Sequence, residues 1–263
     1  MSDDLVLYDV AEHIATITFN NPEAQNTISG PMLDRFTELL LQADKDDDVR
    51  AIVVTGTGKF FCAGLDLRGS DITDNLSEGR KAPVNLDLRN TPPTVLHNLD
   101  TPTICALNGS AAGYGMDLAL GCDIRIMADT AKLAAAFTAR GVVPESGGTW
   151  ILPRLIGWSK ASEIIFTGKT LTAAECDEMG LVSHVVNNNE VQESAQQMAK
   201  QIAANAPLAV QASKRMMRMS MNENFDDHVH HVFLQLLPLF QTDDFKEGMA
   251  SFMEKRAPDF KGR

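Results

Sequence analysis

Two glycine-bearing segments are the first sign of chemistry in this chain. Residues 60–66 have the sequence F-F-C-A-G-L-D, and residues 108–117 have the sequence N-G-S-A-A-G-Y-G-M-D. Each segment follows a short apolar run typical of a strand, at 51–55 and at 103–107. Two such turns can each direct a backbone N–H at one point, and a pair of donors at one oxygen stabilises an oxyanion. The spacing therefore indicates an oxyanion site.

Two carboxylates lie close in sequence to these turns. Asp117 falls in the first turn of the helix expected after the second segment, and Glu145 lies in a third glycine-rich turn, 141–150. Either is a candidate proton carrier. From the residues alone, a helix-dipole role for Asp117 and a solvated turn for Glu145 remain equally open.

Other familiar motifs fail on their spacing. The sequence T-G-K-T at 167–170 has Glu163 where a phosphate-binding loop needs glycine, and the turn at 109–115 lacks the dinucleotide-binding pattern. His228, His230 and His231 do not form a zinc-binding H-E-x-x-H motif. We therefore predict no metal site and no cofactor.

The elements that must position these residues indicate an α/β protein. Strands and helices alternate as far as the asparagines at 187–189, and a capping box is expected at Thr172. The segment 68–90 is polar and weakly periodic, which is typical of a binding loop or a frayed helix pair. Beyond the asparagines at 187–189, the tail contains only helical patterns, at about 190–205, 207–221, 225–240 and 243–256.

Composition restricts the class of partner. The 263 residues are 44% hydrophobic, enough for a full core, and the net charge of −12 argues against nucleic acid and anionic membranes. We find no apolar stretch of membrane-spanning length and no secretory signal pattern at the N-terminus. The four scattered cysteines are expected to be reduced core residues. A cytoplasmic location is the resulting expectation.

The chain resembles the crotonase superfamily, the enoyl-CoA hydratase/isomerase family, over nearly its whole length. The resemblance rests on F-C-A-G-L-D, N-G-x-A-x-G-x-G-x-D-L-A, G-C-D-I-R, P-x-x-G-G-T, G-L-V and T-D-D-F-K-E-G-M, which occur in one order. It implies an α/β fold, with a spiral of ββα units over residues 1–200. It also implies a C-terminal helical region over 201–263 that caps the core and assembles the chain into trimers or dimers of trimers.

By this resemblance the substrate is an acyl-CoA thioester, so coenzyme A arrives as part of the substrate. Its carbonyl oxygen would lie between the backbone N–H groups of Ala63 and Tyr114, where family enzymes stabilise an enolate. The implied substrate-contacting residues are Ala24, Gln25, Ala63, Gly64, Leu65, Asp66, Tyr114, Phe137, Phe252 and Lys255. Of these, Ala24 and Gln25 would approach the adenine end of coenzyme A.

Departures from the family pattern bear on the reaction. Hydratases of the family use two glutamates, whereas this chain has Asp117 and Phe137 at those positions. Glu145 falls where isomerase members carry an acid, and P-E-S-G-G-T-W resembles the P-D-A-G-G-T-W of the phenylacetyl-CoA branch. A dry pocket would make Glu145 a stronger base.

The leading hypothesis is therefore an isomerase with Glu145 as base and Asp117 as auxiliary acid. The alternatives are a hydratase with an incomplete acid pair, and a non-catalytic paralogue that binds acyl-CoA or RNA.

Overall fold

A computed structural model describes residues 5–66 and 91–263 of the chain, so the predicted irregular segment 68–90 lies outside the described residues. Ten strands are present in these ranges. In chain order they are β1 (Val6–Ala11), β2 (Ile14–Phe19), β3 (Ala51–Gly56), β4 (Phe60–Cys62), β5 (Thr103–Leu107), β6 (Ser110–Ala112), β7 (Ile124–Ala128), β8 (Lys132–Ala134), β9 (Thr170–Thr172) and β10 (His184–Val186).

The larger sheet has six strands in the order β1-β2-β3-β5-β7-β10. The first pair is antiparallel and the other pairs are parallel, with Ile14 opposite Ala51 and Ile104 opposite Ile124. All residues of β3 and β5 are buried, which explains why their sequences are nearly continuous apolar runs. The strands predicted at 51–55 and 103–107 are confirmed.

The smaller sheet, in the order β4-β6-β8-β9, carries the two glycine-bearing segments. Strands β4 and β6 are parallel, with an irregularity between Phe60 and Cys62. Phe61 of β4 packs edge-on against Phe19 of β2, with ring centroids 5.6 Å apart. This contact fixes the small sheet against the large one.

The described helices include those predicted after the second glycine-bearing segment and in the tail. They are α1 (Gly30–Lys45), α2 (Pro92–Asn98), α3 (Tyr114–Gly121), α4 (Gly148–Ile156), α5 (Trp158–Thr167), α6 (Ala173–Glu178), α7 (Val191–Ala203), α8 (Pro207–Ser220), α9 (Phe225–Leu239) and α10 (Asp243–Glu254). The capping box at the start of α6 is confirmed, because Thr172 and Glu175 exchange their hydrogen bonds. The helical tail is confirmed by α7 to α10, while the domain division at residue 200 stays a prediction.

Ion pairs join the tail to the core. Lys214 of α8 lies 2.7 Å from the Asp123 carboxylate, which also accepts from the N–H and hydroxyl of Thr103. Arg215 and Arg218 both bond to Asp100. Helix α8 is thereby held beside the start of β5.

Two further findings concern the class of protein. The four cysteines are free and buried, as predicted. Among the described residues, no helix is long and apolar enough to span a membrane.

Candidate active site

The turn after β4 leaves one backbone donor available. Ile28 donates its N–H to the Gly64 carbonyl at 2.8 Å and accepts from the Asp66 N–H at 2.9 Å. Ile28 therefore holds the residues on both sides of Leu65 in a parallel bridge. In such a bridge alternate residues direct their backbone groups to opposite sides, so the Leu65 N–H points away from Ile28. Gly64 permits this geometry with φ of +106°.

The N–H of Ala63 is already occupied. It donates to the Gln25 carbonyl at 3.1 Å, so it is bonded within the protein. This contradicts the expectation that Ala63 supplies an oxyanion donor. Leu65 has the free N–H in this turn, since no hydrogen bond of that group is present in the described part of the chain.

The second donor is the N–H of Tyr114. Tyr114 is the first residue of α3, where backbone N–H groups have no partner within the helix. The Tyr114 nitrogen is 3.9 Å from the point that a Cβ of Gly64 would occupy. Helix α3 comes this close because Gly115 has no side chain: a Cβ there would lie 2.2 Å from the Cys62 carbonyl oxygen. The two turns thus bring the Leu65 and Tyr114 amides to one place.

A cavity of about 430 Å³ adjoins both amides. It is lined by Glu23, Ala24, Gln25, Thr27, Ala63, Gly64, Leu65, Asp66, Ala112, Gly113, Tyr114, Ala136, Phe137, Arg140, Val142 and Glu145. Eight of the ten predicted substrate-contacting residues are in this lining.

Backbone hydrogen bonds connect the segments that line the cavity. Gln25 bonds to Ala63 at one end, and Gly113 bonds through its N–H to the Ala134 carbonyl at 3.0 Å. Beyond Ala134 come the residues of the 3₁₀ turn Thr138–Arg140. The cavity is therefore bounded by segment 22–27, the amide pair and segment 136–145.

The two acidic side chains differ sharply in environment. Glu145 lines the cavity and is exposed in the single chain. Asp117 is only 2% exposed and lies outside the cavity lining. The expectation of a dry environment therefore fails for Glu145 and describes Asp117 instead.

Burial raises the pKa of the Asp117 carboxyl to about 7, and the backbone N–H groups of Gly148 and Ser146 partly oppose this shift. The charge of Glu145 raises the pKa further. The Oδ2 atom of Asp117 has no hydrogen-bond partner. A carboxyl with these properties exchanges its proton near neutral pH.

Aromatic residues form the apolar wall. Phe137, which the sequence resemblance placed at the second glutamate position of hydratases, is buried and lines the cavity. Tyr114 is 8% exposed, and burial together with the Glu145 charge raises the pKa of its phenol. The phenol therefore stays neutral at physiological pH.

The two predicted tail contacts lie elsewhere in the single chain. Phe252 of α10 is 77% exposed, and Lys255 ends that helix in a left-handed conformation with φ of +54°. Neither residue lines the cavity. Their contact with a substrate stays a prediction that requires a neighbouring subunit.

Two features of the site were missed from the sequence. The first is the Leu65 N–H, which the pattern C-A-G-L-D cannot distinguish from that of Ala63. The signal was Gly64, because a left-handed glycine turns the following peptide away from the preceding one. The second is Arg140, three residues after Phe137 in the same turn.

Comparison with known proteins defines the class. Residues 9–263 match the family model for enoyl-CoA hydratase/isomerase. The chain is 33% identical to the 1,2-epoxyphenylacetyl-CoA isomerase of Escherichia coli over 262 residues, covering 99% of each. It is 34% identical to the short-chain-enoyl-CoA hydratase of Clostridium acetobutylicum over 261 residues, covering 98% of each.

A solved structure supports the same class. The crystal structure of an enoyl-CoA hydratase from Bacillus anthracis superposes with a TM-score of 0.88 at 32% identity, covering 98% of this chain and 100% of that one. The chain therefore belongs to the enoyl-CoA hydratase/isomerase family of acyl-CoA enzymes and has the crotonase fold.

Proposed function

We propose that this enzyme moves a double bond along an acyl-CoA thioester, using Glu145 as the proton carrier. One observation carries the proposal: of the three acids in the described cavity lining, Glu23, Asp66 and Glu145, only Glu145 shares segment 136–145 with the apolar wall residue Phe137. Phe137, in the same segment, cannot supply a second carboxylate.

The amide pair gives the reaction its electrostatic support. A thioester oxygen between the N–H groups of Leu65 and Tyr114 receives two hydrogen bonds that strengthen as negative charge develops. The Tyr114 amide also belongs to the positive end of α3. We assign the oxyanion role to Leu65 in place of Ala63.

Proton transfer then needs one base. Glu145 removes a proton from C2 of a 3-enoyl thioester, and the electron pair moves into a dienolate whose oxygen is held by the amides. The protonated Glu145 returns the proton at C4, which forms the 2-enoyl product. Bonds and charge balance without water, and Asp117 serves as an auxiliary acid behind the site.

A hydratase is the second candidate. The specific observation in its favour is Asp117, whose carboxyl has a pKa of about 7 and is therefore suited to proton exchange with an activated water. Against this role, Asp117 lies outside the cavity lining.

Product analysis distinguishes the two reactions. The full-length protein is incubated separately with 3-hexenoyl-CoA and 2-hexenoyl-CoA, and the products are followed by liquid chromatography, which separates the two isomers, coupled to mass spectrometry. An isomerase converts the 3-enoyl substrate without a change of mass. A gain of one water from the 2-enoyl substrate, with no migration of the double bond, would replace our proposal with the hydratase.

Self-association belongs to the same proposal. Apolar side chains are exposed on α9 and α10, including Phe225, Phe233, Phe252 and Met253. Large apolar side chains exposed in this number on two neighbouring elements of the sequence are typical of an interface. We expect a homotrimer or a dimer of trimers, in which Phe252 and Lys255 approach a neighbour's cavity.

A further inference from the structure

One basic side chain faces the cavity without an acidic partner. Arg140 is the only Lys, Arg or His among the described residues that line it. Its Nη1 donates to the Ala136 carbonyl at 2.8 Å, and Ala136 is also part of the lining. Arg140 has no ion pair with any residue in the described ranges. The guanidinium is thus held at the cavity with most of its donors available.

The position of Arg140 indicates which part of a thioester it meets. Segment 22–27 is bonded through Gln25 to Ala63 of the turn that carries the Leu65 amide, and Arg140 lies in the lining segment with Phe137 and Glu145. This argument rests on the proposed function, in which Glu145 acts on C2 and C4 of the acyl group. The acyl group then extends toward Arg140.

A methyl-ended acyl chain is a poor match for this end of the cavity. It would remove water from the guanidinium and give no hydrogen bond in return. A carboxylate fits the planar fork of arginine and forms two charge-assisted hydrogen bonds. Glu145 shares this end but does not pair with Arg140, so the guanidinium remains available to a ligand.

We propose that Arg140 binds a carboxylate at the far end of the acyl group, which makes the substrate class acyl-CoA thioesters with a terminal carboxylate. A coenzyme A phosphate has similar anionic chemistry and is the competing source. The two sources differ in a measurable way, because every coenzyme A ligand carries the phosphates and only one acyl class carries the carboxylate.

Binding of unreactive ligands tests this proposal without turnover. Dissociation constants of adipyl-CoA, hexanoyl-CoA and free coenzyme A are measured by calorimetry for the full-length protein and for Arg140→Gln and Arg140→Lys. We expect adipyl-CoA to bind about tenfold more tightly than hexanoyl-CoA, because a hydrogen bond between the charged Arg140 and the terminal carboxylate contributes about this much to affinity. Arg140→Gln should abolish this ratio, and Arg140→Lys should retain part of it.

Arg154→Gln is the matched control. Arg154 is also exposed and also donates Nη1 to the carbonyl four residues earlier, at 2.9 Å from the Trp150 oxygen, but it does not line the cavity. This variant should keep the adipyl preference.

Three results would overturn the proposal. The first is equal binding of the two thioesters by the unaltered protein, which does not depend on any variant folding. The second is an equal loss for all three ligands in Arg140→Gln, which would assign the contact to a coenzyme A phosphate. The third, no binding of any thioester, would also overturn the proposed function, whereas the first two leave it standing.

Discussion

The carboxylate of Asp117 lies directly against the backbone of Gly148. A Cβ at position 148 would be 2.2 Å from Asp117 Oδ1, far inside van der Waals contact. Gly148 begins α4 and Asp117 lies in the first turn of α3. The N-terminal ends of the two helices therefore contact each other through the buried Asp117 carboxylate and the Gly148 backbone.

Gly148→Ala tests this contact. We expect the free energy of unfolding to fall by about 1–3 kcal/mol, because a buried methyl group must displace the carboxylate. Chemical denaturation gives the value. Gly30→Ala is the control, since Gly30 also begins a helix and a Cβ there has nothing within 4 Å. Equal effects of the two substitutions would contradict the packing described here.

Asp117 should also make stability depend on pH. Its pKa in the folded protein is about 7, above the value of 3.8 for a free side chain, so the folded state binds more protons between these values. The free energy of unfolding therefore falls as pH rises from about 4 to about 7, by on the order of 4 kcal/mol.

Asp117→Asn removes this titration. Relative to the unaltered protein, the variant should become more stable as pH rises through that window. Urea unfolding at several pH values and one protein concentration measures the difference. A difference that stays constant with pH would show that burial does not govern the protonation of Asp117.

Backbone substitution distinguishes the two candidate oxyanion donors. Replacing the amide N–H of residue 65 with an ester oxygen should lower kcat by about 10²–10³-fold, the usual effect of losing one oxyanion donor. The same replacement at residue 63 breaks the bond to Gln25 and should act mainly on stability. If the ester at 63 has the larger effect on kcat, the assignment of Leu65 is wrong.

Glu145→Gln keeps the size of the side chain and removes the base. We expect kcat for a 3-enoyl-CoA to fall by about 10²–10⁴-fold, with a much smaller change in KM. Glu23→Gln is the contrast, because Glu23 also lines the cavity but lies in segment 22–27. This variant should not show the loss of kcat. Full turnover by Glu145→Gln would eliminate this residue as the base.

Charge on the exposed apolar helices should break the assembly. Phe233 of α9 is 53% exposed, so Phe233→Asp should be tolerated in a single chain and should shift the protein toward monomers. Analytical ultracentrifugation measures the shift. Leu7→Asp on β1 places the same charge on another exposed apolar side chain and should leave the mass unchanged. A monomeric unaltered protein would refute the interface.

Most helices and strands named in the sequence analysis could be predicted from local sequence patterns. The apolar run of β3, the capping box at Thr172 and the helical tail follow from residue periodicity and capping chemistry, which act over a few neighbouring positions. The sheet order was not accessible in this way, because pairing of β5 with β7 depends on contacts distant in sequence.

The site was predicted less completely for the same reason. Glu145 and Tyr114 were found at the cavity, but the burial of Asp117 and the exposure of Glu145 depend on how α3 meets α4. The choice between Ala63 and Leu65 depended on Ile28 and Gln25, which lie in a segment far from the turn. The C-A-G-L-D motif itself contains no information about the contacts of Ile28 and Gln25.

The bonds from Gln25 to Ala63 and from Ile28 to both neighbours of Leu65 have a mechanical result. If Ala24 and Gln25 bind the adenine end of coenzyme A, as the family resemblance implies, the ligand contacts the same backbone segment that positions the proposed oxyanion donor Leu65. Binding energy from contacts far from the reacting carbons can therefore help to position the Leu65 N–H. A thioester shortened to its pantetheine arm should then react slowly even at saturation.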